Sequence, residues 1–132
     1  MKKGFHANIE QLTIANENFR QVLYTAEHCQ LVLMALKPNE EIGSEVHPDN
    51  DQFFRFEKGE GQVVINETEY AVKDGDCIIV PSGAQHNVIN TSLTDSLKLY
   101  TIYSPAHHQK DVVKATKAEA EGGLEFDGIL SE

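Results

Sequence analysis

The chain has 132 residues, 40% of them hydrophobic, and 21 acidic against 11 basic side chains give a formal net charge of −10. That length suits one domain with one core, and the acidic balance argues against nucleic-acid or anionic-membrane surfaces, which need basic patches. No apolar run reaches the ~18 residues of a membrane span. The opening Met1-Lys2-Lys3-Gly4-Phe5-His6 has no apolar segment behind it, so no signal peptide is read and a cytoplasmic location is expected.

Residues 1–18 are polar with scattered apolar positions and read as an N-terminal arm with one edge strand. From Phe19 onward, strands are predicted at Phe19–Ala26, Cys29–Lys37, Gln52–Glu57, Gly61–Ile65, Thr68–Val72, Asp76–Val80, His86–Asn90 and Leu97–Tyr103. Turn residues separate them: Pro38-Asn39, Pro48 to Asp51, Gly59 to Gly61, Asn66-Glu67, Asp74-Gly75 and Ser82-Gly83. Short strands so punctuated predict an antiparallel sandwich or barrel over residues 19–104. After Pro105 the pattern changes. Asp111–Glu121 reads as a short helix stopped by Gly122-Gly123, inside a tail spanning 105–132 whose last residues are loosely held. Cys29 and Cys77 form no C-x-x-C and fall in strand-like segments, so buried reduced thiols are expected.

The most informative stretch runs from Gly75 to Asn90. Gly75 serves a turn, Cys77–Val80 is a short apolar strand, and Pro81 and Gly83 end it and force the chain around. His86, Val88 and Asn90 then share one strand face. The pattern G-x5-P-x-G-x2-H-x3-N resembles the second motif of the cupin superfamily at all five fixed positions. Upstream, Glu45-Val46-His47, four residues, Gln52, six residues and Gly59 are similar in spacing to the first cupin motif. Glu45 stands where that family usually has its first His, and Gln52 where it usually has Glu. The motifs cover Glu45 to Asn90. The resemblance implies an all-β double-stranded β-helix, a jelly-roll barrel, followed here by a short C-terminal helical tail. It also implies one bound divalent metal ion, and a homodimer, since small cupins commonly pair.

Glu45 and His47 are two residues apart, so an extended backbone points both to one face, and His86 arrives from a separate strand. The resemblance makes Glu45, His47, Gln52 and His86 the implied metal ligands. Glu45 then carries the single negative charge of the family's ligand set, with Gln52 a neutral amide oxygen. Exchanging one imidazole for oxygen favours Zn, Mn, Fe or Ni over copper. Gln52 is either a direct ligand or a hydrogen-bonding neighbour of one. Phe54 and Phe56 alternate with Gln52, and Val88 alternates with His86, so all three are expected to line a substrate cavity. Phe53, Arg55 and Glu57 face the other way. Asn90 is expected to bond backbone at its strand end. His107 and His108 lie beyond the last strand, where solvent is their expected fate; the sharper reading folds one over the barrel mouth.

A cupin resemblance implies a fold and a metal more than a reaction. Three classes stay open: a metal-dependent isomerase, epimerase or lyase of a small oxygenated molecule, with the ion as Lewis acid; a metal-dependent dioxygenase; and a non-enzymatic module that binds or senses a small molecule. No catalytic residue is assignable, although Tyr24, Tyr100 and Tyr103 are available acids. The ligand pattern is similar to that of type I mannose-6-phosphate isomerases with acid and amide exchanged. Phosphate needs cations, however. The only arginines are Arg20 and Arg55, and Arg55 alternates away from the metal. The expected substrate is therefore an apolar body with vicinal oxygens, such as a 2-hydroxy acid, 2-oxo acid, diol or enediol.

Overall fold

A computed structural model describes residues 1–132. Its elements are α1 (Ile9–Ala15), β1 (Arg20–Thr25), β2 (Gln30–Leu36), β3 (Glu45–Val46), β4 (Asp51–Lys58), β5 (Glu60–Ile65), β6 (Thr68–Lys73), β7 (Cys77–Val80), β8 (Gln85–Asn90), β9 (Leu97–Ser104), β10 (Val113–Lys114) and α2 (Lys117–Ala120). All pairings are antiparallel, in a six-stranded sheet of order β10-β1-β2-β9-β4-β7 and a four-stranded sheet of order β3-β8-β5-β6. The expected all-β jelly roll is observed. No helix is long and apolar enough to cross a membrane.

Period-two alternation builds the core between the sheets. On β4, Gln52, Phe54 and Phe56 are buried, while Phe53, Arg55 and Glu57 are half-buried on the outer face, where Arg55 forms an ion pair with Glu57, Nε lying 2.8 Å from Oε1. On β8 the inward set is His86, Val88 and Asn90; on β9 it is Leu97, Leu99, Thr101 and Tyr103. Strand β2 departs from alternation, with Val32 through Leu36 all buried. The reason is α1, which packs across β2, β4 and β9 and gives the large sheet a second covered face. Buried Lys98, opposite Ala35 on that face, donates from Nζ to the Asn16 carbonyl and lies 3.3 Å from the Glu17 carboxylate. Asn90 Nδ2 donates to the carbonyls of Leu36, Lys37 and Asp95, as expected of a residue at a strand end.

Four expectations are corrected. Residues 1–18 hold the helix α1, not an edge strand; Asn8 caps it by accepting from the Gln11 amide. The helix read over 111–121 shrinks to Lys117–Ala120, and Val113–Lys114 instead pairs with Arg20–Gln21 along the free side of β1. Two adjacent β-branched residues, Val112 and Val113, meet an open sheet edge there, and the ladder outweighs the helix propensity of the segment. The tail's end is also tied down: Phe126 N donates to His107 O, Ser131 N to Thr25 O, and the Glu132 carboxylate accepts from Lys3 N, Gly4 N and Tyr24 Oη. Finally, both cysteines are free thiols but exposed, because Cys29 precedes β2 and Cys77 sits on the outer side of edge strand β7.

Candidate metal centre

Strand β3 is two residues long and pairs only with β8, setting Glu45 opposite His86 and Val46 opposite Gln85. Gly83 N donates to His47 O at 3.0 Å, fixing the turn of the Pro81–Gly83 corner against the end of β3. Val46 is half exposed, and Glu45 and His47 point inward, as alternation requires. The outcome is a cluster in which one donor atom each from Glu45, His47 and His86 lies within 4.8 Å of the other two. His47 Nε2 is 3.0 Å from Glu45 Oε2, and the His47 and His86 ring centroids are 5.2 Å apart.

Two buried acceptor atoms, His86 Nε2 and Gln52 Oε1, have no partner. His86 Nδ1 lies 3.1 Å from the Ala84 carbonyl, which can only accept, so Nδ1 holds the ring proton and Nε2 is a bare acceptor. That Nε2 has no hydrogen bond, although His86 is 4% exposed. Gln52, buried on β4, donates from Nε2 to Thr101 Oγ1 at 3.0 Å, and its Oε1 is likewise without a partner. An unpartnered buried acceptor costs roughly 1–3 kcal/mol. One carboxylate and two imidazoles are donors suited to a borderline divalent ion, and the orphaned His86 Nε2 fits that occupant.

The electrostatics agree. Burial opposes ionisation of Glu45, but the hydrogen bond from His47 and the electrostatic influence of the neighbouring imidazoles and Arg20 outweigh it, and the carboxyl is held below its ordinary range. Burial pushes His86 down, toward the neutral form a ligand needs. Tyr103 is pushed well up, first by burial and then by the Glu45 carboxylate, so its phenol stays protonated.

His107 is half-buried and His108 buried, so the structure supports the sharper reading. The buried Gln30 side chain accepts from the backbone amides of His107 (3.2 Å) and His108 (3.0 Å) and donates to His108 O (2.7 Å). This clamp carries the chain back over the barrel, where the His107 ring sits 4.3 Å from His47 and 5.3 Å from Tyr103. His108 Nε2 lies 3.2 Å from Tyr103 Oη. The signal available in the sequence was Gln30 itself, a polar residue opening an otherwise apolar strand.

Phe54, Phe56 and Val88 belong to the packed core, with Phe54 nearest the cluster at 6.3 Å from the His86 ring. The expected apolar cavity is corrected at the pocket of about 210 Å³ that opens beside Glu45, whose walls include Arg20, His107, His108 and Glu125. Inward alternation does not distinguish a cavity wall from a filled core. Arg20 was not placed by the sequence reading, yet it shares the inward alternation of Val22 on β1.

Burial drives the His108 imidazole down to about 2. The unfolded chain, with an ordinary value near 6.5, takes up a proton that the folded chain refuses. Stability is therefore complete above about pH 6.5 and falls as pH drops below it, by about 2 kcal/mol at about pH 5. Urea unfolding of metal-free protein at the two pH values should show that loss, and His108→Gln should remove most of it. An unchanged pH slope in the variant would assign the loss to other groups.

A family model for the cupin domain matches residues 32–103. An uncharacterised protein of Acanthamoeba polyphaga mimivirus is 44% identical over 118 residues, covering 87% of this chain and 74% of that protein. YrkC of Bacillus subtilis (strain 168) is 44% identical over 124 residues, 89% of this chain and 66% of its own length. Among solved structures, BH2720 from Bacillus halodurans is similar with 41% identity and a TM-score of 0.87, over 89% of this chain and 93% of that one.

Proposed function

The chain belongs to the cupin-domain family, and from that premise we propose that it is a metal-dependent enzyme acting on a small oxygenated molecule, in the manner of an isomerase, epimerase or lyase. The observation that carries this reading is the orphaned buried acceptor His86 Nε2 beside the Glu45–His47 pair. Glu45, His47 and His86 would hold the ion, with Gln52 as fourth donor. A divalent ion bound there supplies Lewis acidity toward a carbonyl or hydroxyl oxygen.

The chain's own residues do the rest. The Ala84 carbonyl keeps the His86 proton on Nδ1, so Nε2 is free to bind. His107 and Tyr103 wall the centre on the side of the last strand. Tyr103 Oη retains its proton at neutral pH and is the nearest buried acid to the cluster's edge. Two measurements test the proposal. Elemental analysis of protein purified without chelator should find about one divalent ion per chain. In D2O, 2-hydroxy and 2-oxo compounds should exchange the hydrogen on the carbon beside the carbonyl or hydroxyl only when loaded protein is present. Binding without exchange or product would leave a binding module.

A second reading has its own observation. Glu45, His47 and His86 alone form a two-His, one-carboxylate set, which suits ferrous oxygen chemistry. Gln52 decides between them. As a ligand, Gln52→Ala should weaken metal binding about 10-fold, and Gln52→Glu, which adds a negative charge, should tighten it. Equal affinity in all three proteins, by competition against a metal-sensitive dye, would put Gln52 outside the ligand set and move the dioxygenase reading ahead. A homodimer belongs to the same proposal, supported by family habit and by Ile79, 66% exposed on edge strand β7. A monomer in sedimentation would remove it.

A further inference from the structure

The chain has two arginines, and the structure uses them differently. Arg55 is paired with Glu57 on the outer face. Arg20 is in no ion pair within 4.0 Å, and its Nε is buried without a hydrogen-bond partner. The cause is positional. Arg20 opens β1 on the inward face, two residues before core residue Val22, so its side chain enters the barrel mouth. It borders the same pocket of about 210 Å³ as Glu45, His107, His108 and Glu125.

A guanidinium is costly to hold in a half-buried place without an anion, and it presents a planar fork that matches a carboxylate. We propose that this pocket is an anion subsite of the centre, in which Arg20 receives the carboxylate of a small chelating acid, a 2-hydroxy or 2-oxo acid, whose neighbouring oxygen turns toward Glu45, His47 and His86. This rests on the metal reading above and names its substrate class. The pocket's size admits only a small ligand. Its charge suits a monoanion once the centre is loaded: Arg20 and a divalent ion together face two carboxylates, Glu45 and Glu125, and the single positive charge left over matches a carboxylate better than a phosphate dianion. The subsite also revises the expectation that no cation lies near the metal.

The test uses the full chain, wild type and Arg20→Gln, each metal-free and loaded with Mn²⁺ or Zn²⁺, against glycolate, ethylene glycol and inorganic phosphate. Calorimetry on loaded protein should show glycolate binding about 10- to 100-fold weaker in Arg20→Gln, the loss expected for one charge-assisted hydrogen-bonded pair, with ethylene glycol unaffected. Metal affinity should be the same in both proteins, which separates loss of the subsite from loss of the centre. In metal-free wild type, the Arg20 Nε–Hε signal in ¹H–¹⁵N spectra should move with glycolate and not with ethylene glycol. That arm reads the subsite even if the chain takes up no metal. Glycolate affinity unchanged in Arg20→Gln, or an Arg20 signal that ignores glycolate, overturns the proposal. Phosphate binding more tightly than glycolate overturns the carboxylate assignment.

Discussion

His86→Ala should remove the divalent ion, lowering its affinity by at least about 100-fold, since even supporting groups around metal ligands cost 10–100-fold when lost. His86 is the ligand best prepared in advance. Its strand is inside the four-stranded sheet, its Nδ1 proton is committed to Ala84, and its Nε2 is otherwise unpaired. Metal binding at a thousand times the dissociation constant adds about 4 kcal/mol to stability, which for a chain this size is on the order of 10 °C in Tm. Wild type should gain that increment on loading, and His86→Ala should gain none. The comparison is made within each protein, with and without metal, so any packing cost of the substitution cancels. A wild-type melting curve indifferent to both chelator and added metal would mean that the cluster holds no ion.

Gly59→Ala should be strongly destabilising at the hairpin between β4 and β5, about 3–5 kcal/mol. Gly59 has φ +99, which L side chains rarely adopt, and a Cβ there would stand 2.7 Å from the Ser96 carbonyl oxygen. That oxygen is backbone and cannot swing aside. Gly75 is the control: its φ is +92, but nothing lies within 4 Å of the site of its Cβ. Gly75→Ala should therefore cost only the conformational part, about 1–2 kcal/mol. Urea titration of both variants separates the two terms. Equal losses would show that the close approach to Ser96 is relieved by movement of the chain.

The contrast bears on how much of this molecule can be read from its residues. The strands were legible because period-two burial and turn residues are local signals, and each of the eight predicted segments overlaps an observed strand. Glu45, His47 and His86 were legible through spacing, since two motifs on paired elements must meet once the sheets form. Helix α1 was missed because seven residues are too few to show a period, although Asn8 followed by Gln11 is a start signal. Strand β10 was missed because Ala, Lys and Glu around it favour helix, and only the folded protein supplies the open side of β1. The placement of His107 and His108 depends on Gln30, 78 residues away from His108, which no window along the chain can contain. Arg20 was not placed, because the pocket it faces is closed by the far end of the chain.

Strand β10 has a consequence for how copies of the protein treat one another. Without it, β1 would be the outermost strand of the large sheet, with a row of unpaired backbone groups. The Val112 carbonyl accepts from Val22 N at 2.8 Å and the Ala115 carbonyl from Phe19 N at 3.1 Å, and these bonds satisfy that row from within the chain. Exposed strand edges recruit the edges of neighbouring molecules, and a very short final strand is a common way to end the series. The segment read as a loose helical tail thus acts as a guard against edge-to-edge aggregation. Two residues of ladder are enough to close the sheet and too few to offer a new template.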